Sequence, residues 1–247
     1  MSGMYQQELR IRASDTDIWQ RLRYSALLRM FQEGSIAHTE ALGAGREKTL
    51  DRGALWVVTR MKLQVSRMPC YDEEIILKSW PGETMHVVFP RYYQVETKSG
   101  RVLIRASSLW LLLSREQRSV IFPEKLGIRI EGVSNGMEIA MPESLMFPSV
   151  LSQTAGRTVQ YSETDLNGHM NNSCYLDWMD DLLDVAFHRS HVIRSLQINF
   201  LSEVQTGQTV TIHWLLKDRQ LFMKGCFDGR QIFAVRAVFQ QSNEFQE

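Results

Sequence analysis

Two stretches of the chain alternate between apolar and polar residues with a period of two. In the first half the segments are ALWVVTRMKLQV, EEIILKSW, VVFPRYYQVET and RVLIRASSLWLLL, and in the second half SLQINFL, QTVTIHWLL, QLFMKGCF and QIFAVRAVF. This alternation predicts half-buried β-strands. Turn sequences such as Lys98-Ser99-Gly100 and Asp228-Gly229 lie between them, so each set is predicted to form an antiparallel meander.

Each set of strands is preceded by a short strand-like segment and then by apolar residues at helical spacing. The two predicted stripes are Leu22, Ala26, Met30, Ala37 and Ala41 in the first half, and Tyr175, Leu176, Met179, Leu182, Leu183, Ala186 and Phe187 in the second. Gly43 stands where the first helix should end, and Asn171 or Asn172 can cap the second. Because such a helix can cover one face of a sheet, each half is predicted to fold as strand, long helix and four strands.

The chain contains two copies of one sequence unit. SDTDIWQRLRYSALL at 14–28 aligns with SETDLNGHMNNSCYL at 162–176, an offset of 162 − 14 = 148 residues. Two like units predict a pseudo-dimer with sheets joined edge to edge. Residues 115–155 contain several prolines and glycines, which predicts a linker with one or two strands of its own.

The two copies differ at positions suited to proton chemistry. The strand that follows the helix in each copy can also be aligned. Ile198 then matches Leu63, an offset of 198 − 63 = 135 residues. The differing pairs, second copy first, are Asn167 and Trp19, His169 and Arg21, and Glu203 and Met68. A purely structural turn would keep the same residues in both copies, so the difference predicts a chemical role for the second copy alone.

DLNGHMNN at 165–172, followed by a tyrosine-containing helix, resembles the signature of the hotdog thioesterases. The two-unit layout, with SSLWLLLSREQRSVIFP at 107–123, narrows the resemblance to the acyl-acyl carrier protein (acyl-ACP) thioesterases of plants and bacteria. The resemblance implies an α+β fold of two tandem hotdog domains, each an antiparallel sheet wrapped around a long helix. It implies a non-catalytic domain at 1–130 that binds the acyl chain or carrier, a linker at 131–155 and a catalytic domain at 156–247.

The same resemblance implies which residues act. The catalytic set is Asp165, Asn167, His169 and Glu203. The family often has a cysteine after the glutamate, where this chain has Val204, so water rather than a thiol is the expected nucleophile. Backbone N–H groups from Gly168 to Asn171, at the start of the predicted helix, are candidate oxyanion donors. The candidate acyl-binding residues are Trp19, Trp56 and Met68, for which an ordinary core position is the alternative.

The expected reaction is hydrolysis of fatty acyl-ACP to free fatty acid and carrier. An acyl-coenzyme A thioesterase with the same site and a non-catalytic acyl-binding hotdog protein are the alternatives, and a hotdog dehydratase fits the motif less well. Carrier proteins are acidic, so basic residues of the first half are expected to meet the carrier: Arg21, Arg23, Arg46, Lys48, Arg52, Arg60 and Arg67.

Composition limits the other partners. The 28 basic and 28 acidic residues cancel, which gives no global attraction to nucleic acid or an anionic membrane. No segment approaches about 18 uninterrupted apolar residues, so no membrane span is expected. Three scattered cysteines favour the cytoplasm, and no motif for a cofactor or metal is present. The oligomeric state stays open, with a homodimer as one option.

Overall fold

The computed structural model describes residues 3–242; residues 1–2 and 243–247, at the outer ends of the two predicted domains, lie outside it. The chain divides into two compact units. The first comprises Met1–Leu22 and Arg29–Pro142, and the second comprises Arg23–Leu28 and Glu143–Glu247. Each unit carries its own antiparallel strands, as the duplicated sequence predicts.

The first unit contains five strands and, from Arg29 onward, the greater part of one long helix. They are β1 (Tyr5–Arg10), α1 (Tyr24–Ala41), β2 (Ala54–Val65), β3 (Glu74–Pro81), β4 (Phe89–Thr97) and β5 (Val102–Ser114). The strands lie in the order β1-β3-β4-β5-β2, all antiparallel. The predicted meander is confirmed for β3–β4–β5, but β2 pairs with β5 rather than with β3. A long loop follows β2, and at its start the Ser66 N–H donates to the Leu103 carbonyl of β5 at 2.9 Å.

Helix α1 packs against the strands through one face. In the part that belongs to the first unit its buried residues include Phe31, Ser35 and His38. The Phe31 ring stacks on Tyr93 of β4 with centroids 4.5 Å apart. A Cβ at Gly34 would lie 3.2 Å from Leu77 Cδ2 of β3, so the helix approaches the sheet closely at this glycine. The buried face therefore follows Phe31, Gly34 and His38.

The predicted buried face of α1 is wrong for the C-terminal half of the helix. Ala37 and Ala41 are exposed, because the close approach at Gly34 turns the neighbouring face of the helix to the strands. The predicted end of the helix is confirmed. Gly43 has a φ of +69°, and its N–H donates to the Glu40 carbonyl at 2.9 Å, closing the last turn.

The second unit repeats the strand order of the first. Its elements are β6 (Gln153–Thr158), α2 (Cys174–Asp180), α3 (Val185–Ser190), β7 (His191–Phe200), β8 (Thr209–Lys217), β9 (Gln220–Phe227) and β10 (Arg230–Gln241). The order β6-β8-β9-β10-β7 corresponds strand for strand to β1-β3-β4-β5-β2. The duplication seen in the sequence is therefore a duplication of topology.

The long helix predicted for the second unit is wrong, since two short helices take its place. Between them Asp184 adopts an extended backbone, with φ −74° and ψ 161°, and its carboxylate accepts the Phe187 N–H at 2.6 Å. The aspartate thus caps a new helix, and Ala186, predicted on the apolar face, is exposed. Tyr175, Leu176 and Met179 of α2 are buried as predicted.

The segment between β5 and β6 is irregular. Residues 115–152, all of them described, contain a 3₁₀ turn at Pro123–Leu126 and an isolated bridge but no strand. The strand that begins at Gln153 is β6, which pairs with β8 of the second unit, so the expectation that residues 115–155 have strands of their own is wrong. Backbone carbonyls of this segment accept side-chain hydrogen bonds instead, from Ser107 to Ala140 at 3.0 Å and from Asn199 to Glu143 at 3.3 Å. Across the residues described here, no helix combines the length and apolar character that a membrane crossing would need.

Candidate functional site

A tight loop of the second unit carries the sequence-predicted residues. One carboxylate oxygen of Asp165 accepts the Asn167 N–H at 2.8 Å, and the Asp165 N–H donates to the His169 carbonyl at 2.8 Å. Gly168 has a φ of +79°, which a residue with a side chain rarely adopts. Asp165 therefore closes the turn that presents Asn167 and His169.

A backbone hydrogen bond brings this loop to Glu203. The Met170 N–H donates to the Val204 carbonyl at 2.8 Å. His169 Nε2 consequently lies 3.5 Å from Glu203 Oε2, with the two side chains 19% and 39% exposed. This distance is within ion-pair range and longer than an ordinary N–H···O hydrogen bond. The structure thus brings together an imidazole and a carboxylate at a site open to solvent.

Asn167 adds an amide to this site. Its side chain is exposed, and among the described residues its carboxamide has no hydrogen-bond partner. Three of the four backbone donors predicted from Gly168 to Asn171 are engaged: the Gly168 N–H donates to the Asp165 carbonyl at 3.0 Å, the Met170 N–H to the Val204 carbonyl at 2.8 Å and the Asn171 N–H to the Glu163 carbonyl at 2.8 Å. The Asn167 carboxamide is therefore more available to donate a hydrogen bond to a bound molecule than the backbone N–H of Gly168 or Asn171.

Helix α2 connects the loop to the strand before Glu203. Its Tyr175 ring lies 4.5 Å from the Phe233 ring and 6.0 Å from the ring of Phe200, the last residue of β7. Burial raises the pKa of the Tyr175 phenol well above its ordinary value. Tyr175 is therefore neutral at physiological pH and acts as a packing residue between α2 and β7.

The loop is tied to α2 by a residue that the sequence analysis missed. The carboxylate of Glu163 accepts the indole N–H of Trp178 at 2.7 Å through one oxygen and the Gln160 N–H at 2.7 Å through the other. Trp178 is 2% exposed. At the offset of 148 residues the first copy has Asp15 and Met30, so the comparison of copies could have revealed this difference.

The first copy has the same loop without the same side chains. The Trp19 N–H donates to Asp17 at 2.8 Å, and the Leu22 N–H donates to the Pro69 carbonyl at 2.8 Å, as Asn167 and Met170 do in the second copy. Both offsets read from the sequence, 148 and 135, therefore match the backbone. The position of His169 is taken by Arg21, whose Nε lies 3.0 Å from the Asp17 carboxylate.

The candidate acyl-binding residues all lie in the first unit. Trp56 donates its indole N–H to the Ala44 carbonyl at 3.0 Å and packs edge-on against Phe89 with centroids 4.8 Å apart. Met68 is 4% exposed, and Trp19 is half-buried beneath the Arg21 guanidinium. Trp56 is thus part of an apolar cluster with Phe89, the core position that was its alternative interpretation.

Among the basic residues expected to meet a carrier, some are paired with carboxylates of the protein and others are exposed at the surface. Arg21 is 5% exposed, so its predicted surface role is wrong, because Asp17 holds its side chain inside the protein. Arg67 is bound to Glu73, and that hydrogen bond raises the pKa of the guanidinium. Arg23 and Arg52 are exposed, as a surface role requires.

Comparison with known proteins identifies the family. The model of the acyl-ACP thioesterase N-terminal domain matches residues 2–124, and that of the acyl-ACP thioesterase C-terminal domain matches residues 151–232. The chain is 25% identical to a palmitoyl-acyl carrier protein thioesterase of Gossypium hirsutum over 81% of this chain and 52% of that protein. It is 27% identical to a dodecanoyl-[acyl-carrier-protein] hydrolase of Cinnamomum camphora over 72% and 50%. The chain spans about half the length of these curated relatives.

Solved structures give the same result for the fold. An acyl-ACP thioesterase from Bacteroides thetaiotaomicron VPI-5482 superposes with a TM-score of 0.88 at 19% identity, covering 97% of this chain and 100% of that one. The 12:0-ACP thioesterase from Umbellularia californica gives 0.81 at 18% identity, covering 98% and 99%. These likenesses confirm the predicted tandem hotdog fold. Together with the two domain matches, they lead to one conclusion: the chain belongs to the acyl-ACP thioesterase family.

Proposed function

We propose that this protein hydrolyses fatty acyl-ACP thioesters to free fatty acid and the thiol of the carrier. The observation that carries the proposal is the 3.5 Å approach of His169 to Glu203 beside the exposed amide of Asn167. The names of its relatives, which are acyl-ACP hydrolases and thioesterases, support this substrate class.

In the first step Glu203 acts as general base. Its carboxylate takes a proton from a water molecule while the water oxygen forms a bond to the thioester carbonyl carbon. The π-electron pair of the carbonyl moves onto its oxygen, and the Asn167 carboxamide donates a hydrogen bond to that oxyanion. His169 orients the attacking water from its position beside Glu203, and Asp165 holds the loop.

In the second step the tetrahedral intermediate collapses. The oxyanion reforms the carbonyl, the carbon–sulfur bond breaks, and the sulfur leaves with the electron pair. Glu203 returns its proton to this sulfur, so the products are a carboxylic acid and a thiol, and the enzyme regains its starting charge. A thiolate is a good leaving group, so weak acid assistance is sufficient.

Water is the nucleophile in this proposal because the neighbouring position offers no thiol. Val204 follows Glu203 and is 1% exposed, with its carbonyl bound to the Met170 N–H. Hydrolysis is thus assigned to residues 156–247. Binding of the acyl chain or carrier is assigned to residues 1–130, where Trp19, Trp56 and Met68 are the proposed contacts. A cytoplasmic location and a role in fatty acid biosynthesis complete the proposal.

The identity of the carrier is tested by comparing two substrates with the same acyl chain. We expect kcat/KM for acyl-ACP to exceed that for acyl-coenzyme A by at least about tenfold, a difference of about 1.4 kcal/mol. This preference should shrink at high salt, since the carrier is acidic and exposed charges are screened. Equal or reversed kcat/KM values would favour the coenzyme A thioesterase, and absence of free thiol with both substrates would favour a non-catalytic acyl-binding protein.

A further inference from the structure

The catalytic loop is closed at its base by Glu163. The Asn171 N–H donates to the Glu163 carbonyl at 2.8 Å, so the two residues bracket the segment that contains Asp165, Asn167 and His169. A displacement of Glu163 is therefore expected to displace this segment. The position of the imidazole relative to Glu203 therefore depends on what holds Glu163.

Two donors hold the Glu163 side chain, one on each oxygen. The Gln160 N–H, at 2.7 Å, caps the 3₁₀ turn Tyr161–Glu163 that begins the loop, and the Trp178 indole N–H, at 2.7 Å, belongs to helix α2. Hydrogen bonds to an ionised carboxylate are shorter and stronger than neutral ones. Trp178 is buried, and its ring contacts Tyr175 with centroids 5.9 Å apart.

The same helix packs on the strand that leads to Glu203. Tyr175 lies against Phe200, the residue that ends β7, with ring centroids 6.0 Å apart. Contacts therefore run from Glu163 through Trp178 and Tyr175 to the end of β7. They join the part of the chain that carries His169 to the part that carries Glu203.

The first copy shows that the turn itself does not need this arrangement. Asp15 and Met30 occupy the two positions, so the carboxylate is one methylene shorter and the indole donor is gone. The turn closed by Asp17 nevertheless keeps the hydrogen bonds of its counterpart. The bond between Glu163 and Trp178 is thus present in the copy that carries His169 and Glu203 and is not required to form the turn.

We propose that Glu163 is a positioning residue for the hydrolysis, acting through Trp178 to hold the Asn167–His169 loop against Glu203. This inference rests on the proposed function. Glu163 accepts four hydrogen bonds from the protein, two on its carboxylate and two on its backbone carbonyl, and makes no contact with the reacting atoms in the proposed mechanism. Its loss should therefore lower kcat while leaving KM nearly unchanged.

The test is steady-state kinetics on acyl-ACP with variants on both sides of the bond. Trp178→Phe keeps the packing and removes the donor, and Glu163→Ala removes the acceptor. We expect each to lower kcat by about 10- to 100-fold, as for a small misplacement of catalytic groups, with KM within about threefold of wild type. Glu163→Gln should recover part of the loss, because its amide oxygen can still accept the indole N–H. The double variant should lose no more than Glu163→Ala, since the two residues act as one unit.

Two controls make the result specific. Asp15→Asn changes the matching position of the first copy, where the side chain has no hydrogen bond to the described residues, and should leave kcat and thermal midpoint unchanged. Glu203→Gln in the same assay tests the proposed function. If Glu203→Gln is inactive while Trp178→Phe and Glu163→Ala keep full kcat, or if their losses multiply in the double variant, the positioning role is wrong. Full activity of Glu203→Gln would instead overturn the proposed function.

Discussion

His169 Nε2 lies 3.5 Å from Glu203 Oε2, and one backbone hydrogen bond, from Met170 to Val204, holds their two segments together. The first unit retains the same backbone hydrogen bond between Leu22 and Pro69. There, the positions of His169 and Glu203 are occupied by an arginine and a methionine. The two copies thus share the backbone hydrogen bond of this loop, but only the second copy has the imidazole and carboxylate that can transfer protons.

Removing the Asn167 amide should reduce activity without reducing stability. Asn167→Ala removes the proposed oxyanion donor, so kcat should fall by about 10²- to 10³-fold. The side chain is exposed and makes no hydrogen bond to the described residues, so the thermal midpoint should not change. Leu166→Ala, at a neighbouring residue that is 81% exposed, is the control and should keep wild-type turnover. A normal kcat for Asn167→Ala would exclude the amide from the reaction.

The two aspartates that close the loops should differ in their effect on stability. Asp17→Asn removes the carboxylate charge that pairs with the Arg21 guanidinium, whose side chain is 6% exposed, and this should cost about 3 kcal/mol of unfolding free energy. Asp165→Asn keeps an oxygen that can accept the Asn167 N–H, so it should cost about 1 kcal/mol or less. Urea denaturation of both variants measures the difference. Equal losses would show that the Asp17–Arg21 pair contributes no more to stability than the hydrogen bonds of Asp165.

Two glycines of the second unit form a matched pair for a packing test. A Cβ at Gly225 in β9 would lie 2.1 Å from Phe233 Cε1, and Phe233 is fully buried against Tyr175. Gly225→Ala should therefore lower the free energy of unfolding by about 1–3 kcal/mol. At Gly156 in β6 the nearest atom would be 3.9 Å away, so Gly156→Ala should leave stability unchanged or slightly raised. An unchanged free energy of unfolding for Gly225→Ala would mean that the Phe233 ring can shift to make room for the methyl group.

The ion pair of Glu73 and Arg67 predicts a loss of stability in acid. Burial raises the pKa of Glu73, but the hydrogen bonds from Arg67 and from the Cys70 N–H outweigh it, so the pKa is lowered overall. A group with a lowered folded-state pKa stabilises the fold above its unfolded pKa, and this contribution is lost as pH falls through the folded value. Glu73→Gln should thus be less stable than wild type at pH 7. The difference should shrink at pH values below about 4, and a constant difference would contradict the assignment.

Local patterns predicted the strands and the repeated loop well, because both depend on short-range sequence. Strand β9 was predicted to the residue, and the turn closed by Asp165 was evident from its twin at Asp17. The break between α2 and α3 was missed because Asp184 suits a solvent-facing helix position as well as a helix cap. The bond from Trp178 to Glu163 was missed because it joins residues 15 apart, a spacing that no local periodicity reports.

The most direct test of the account is the turnover of Glu203→Gln on acyl-ACP, measured beside wild type with the thermal midpoint of both proteins. Glutamine keeps the size of the side chain and cannot accept a proton from water. We expect kcat to fall by about 10²- to 10⁴-fold with an unchanged KM and an unchanged midpoint. A folded Glu203→Gln enzyme with wild-type kcat would contradict the role of the carboxylate and, with it, the mechanism proposed for this protein.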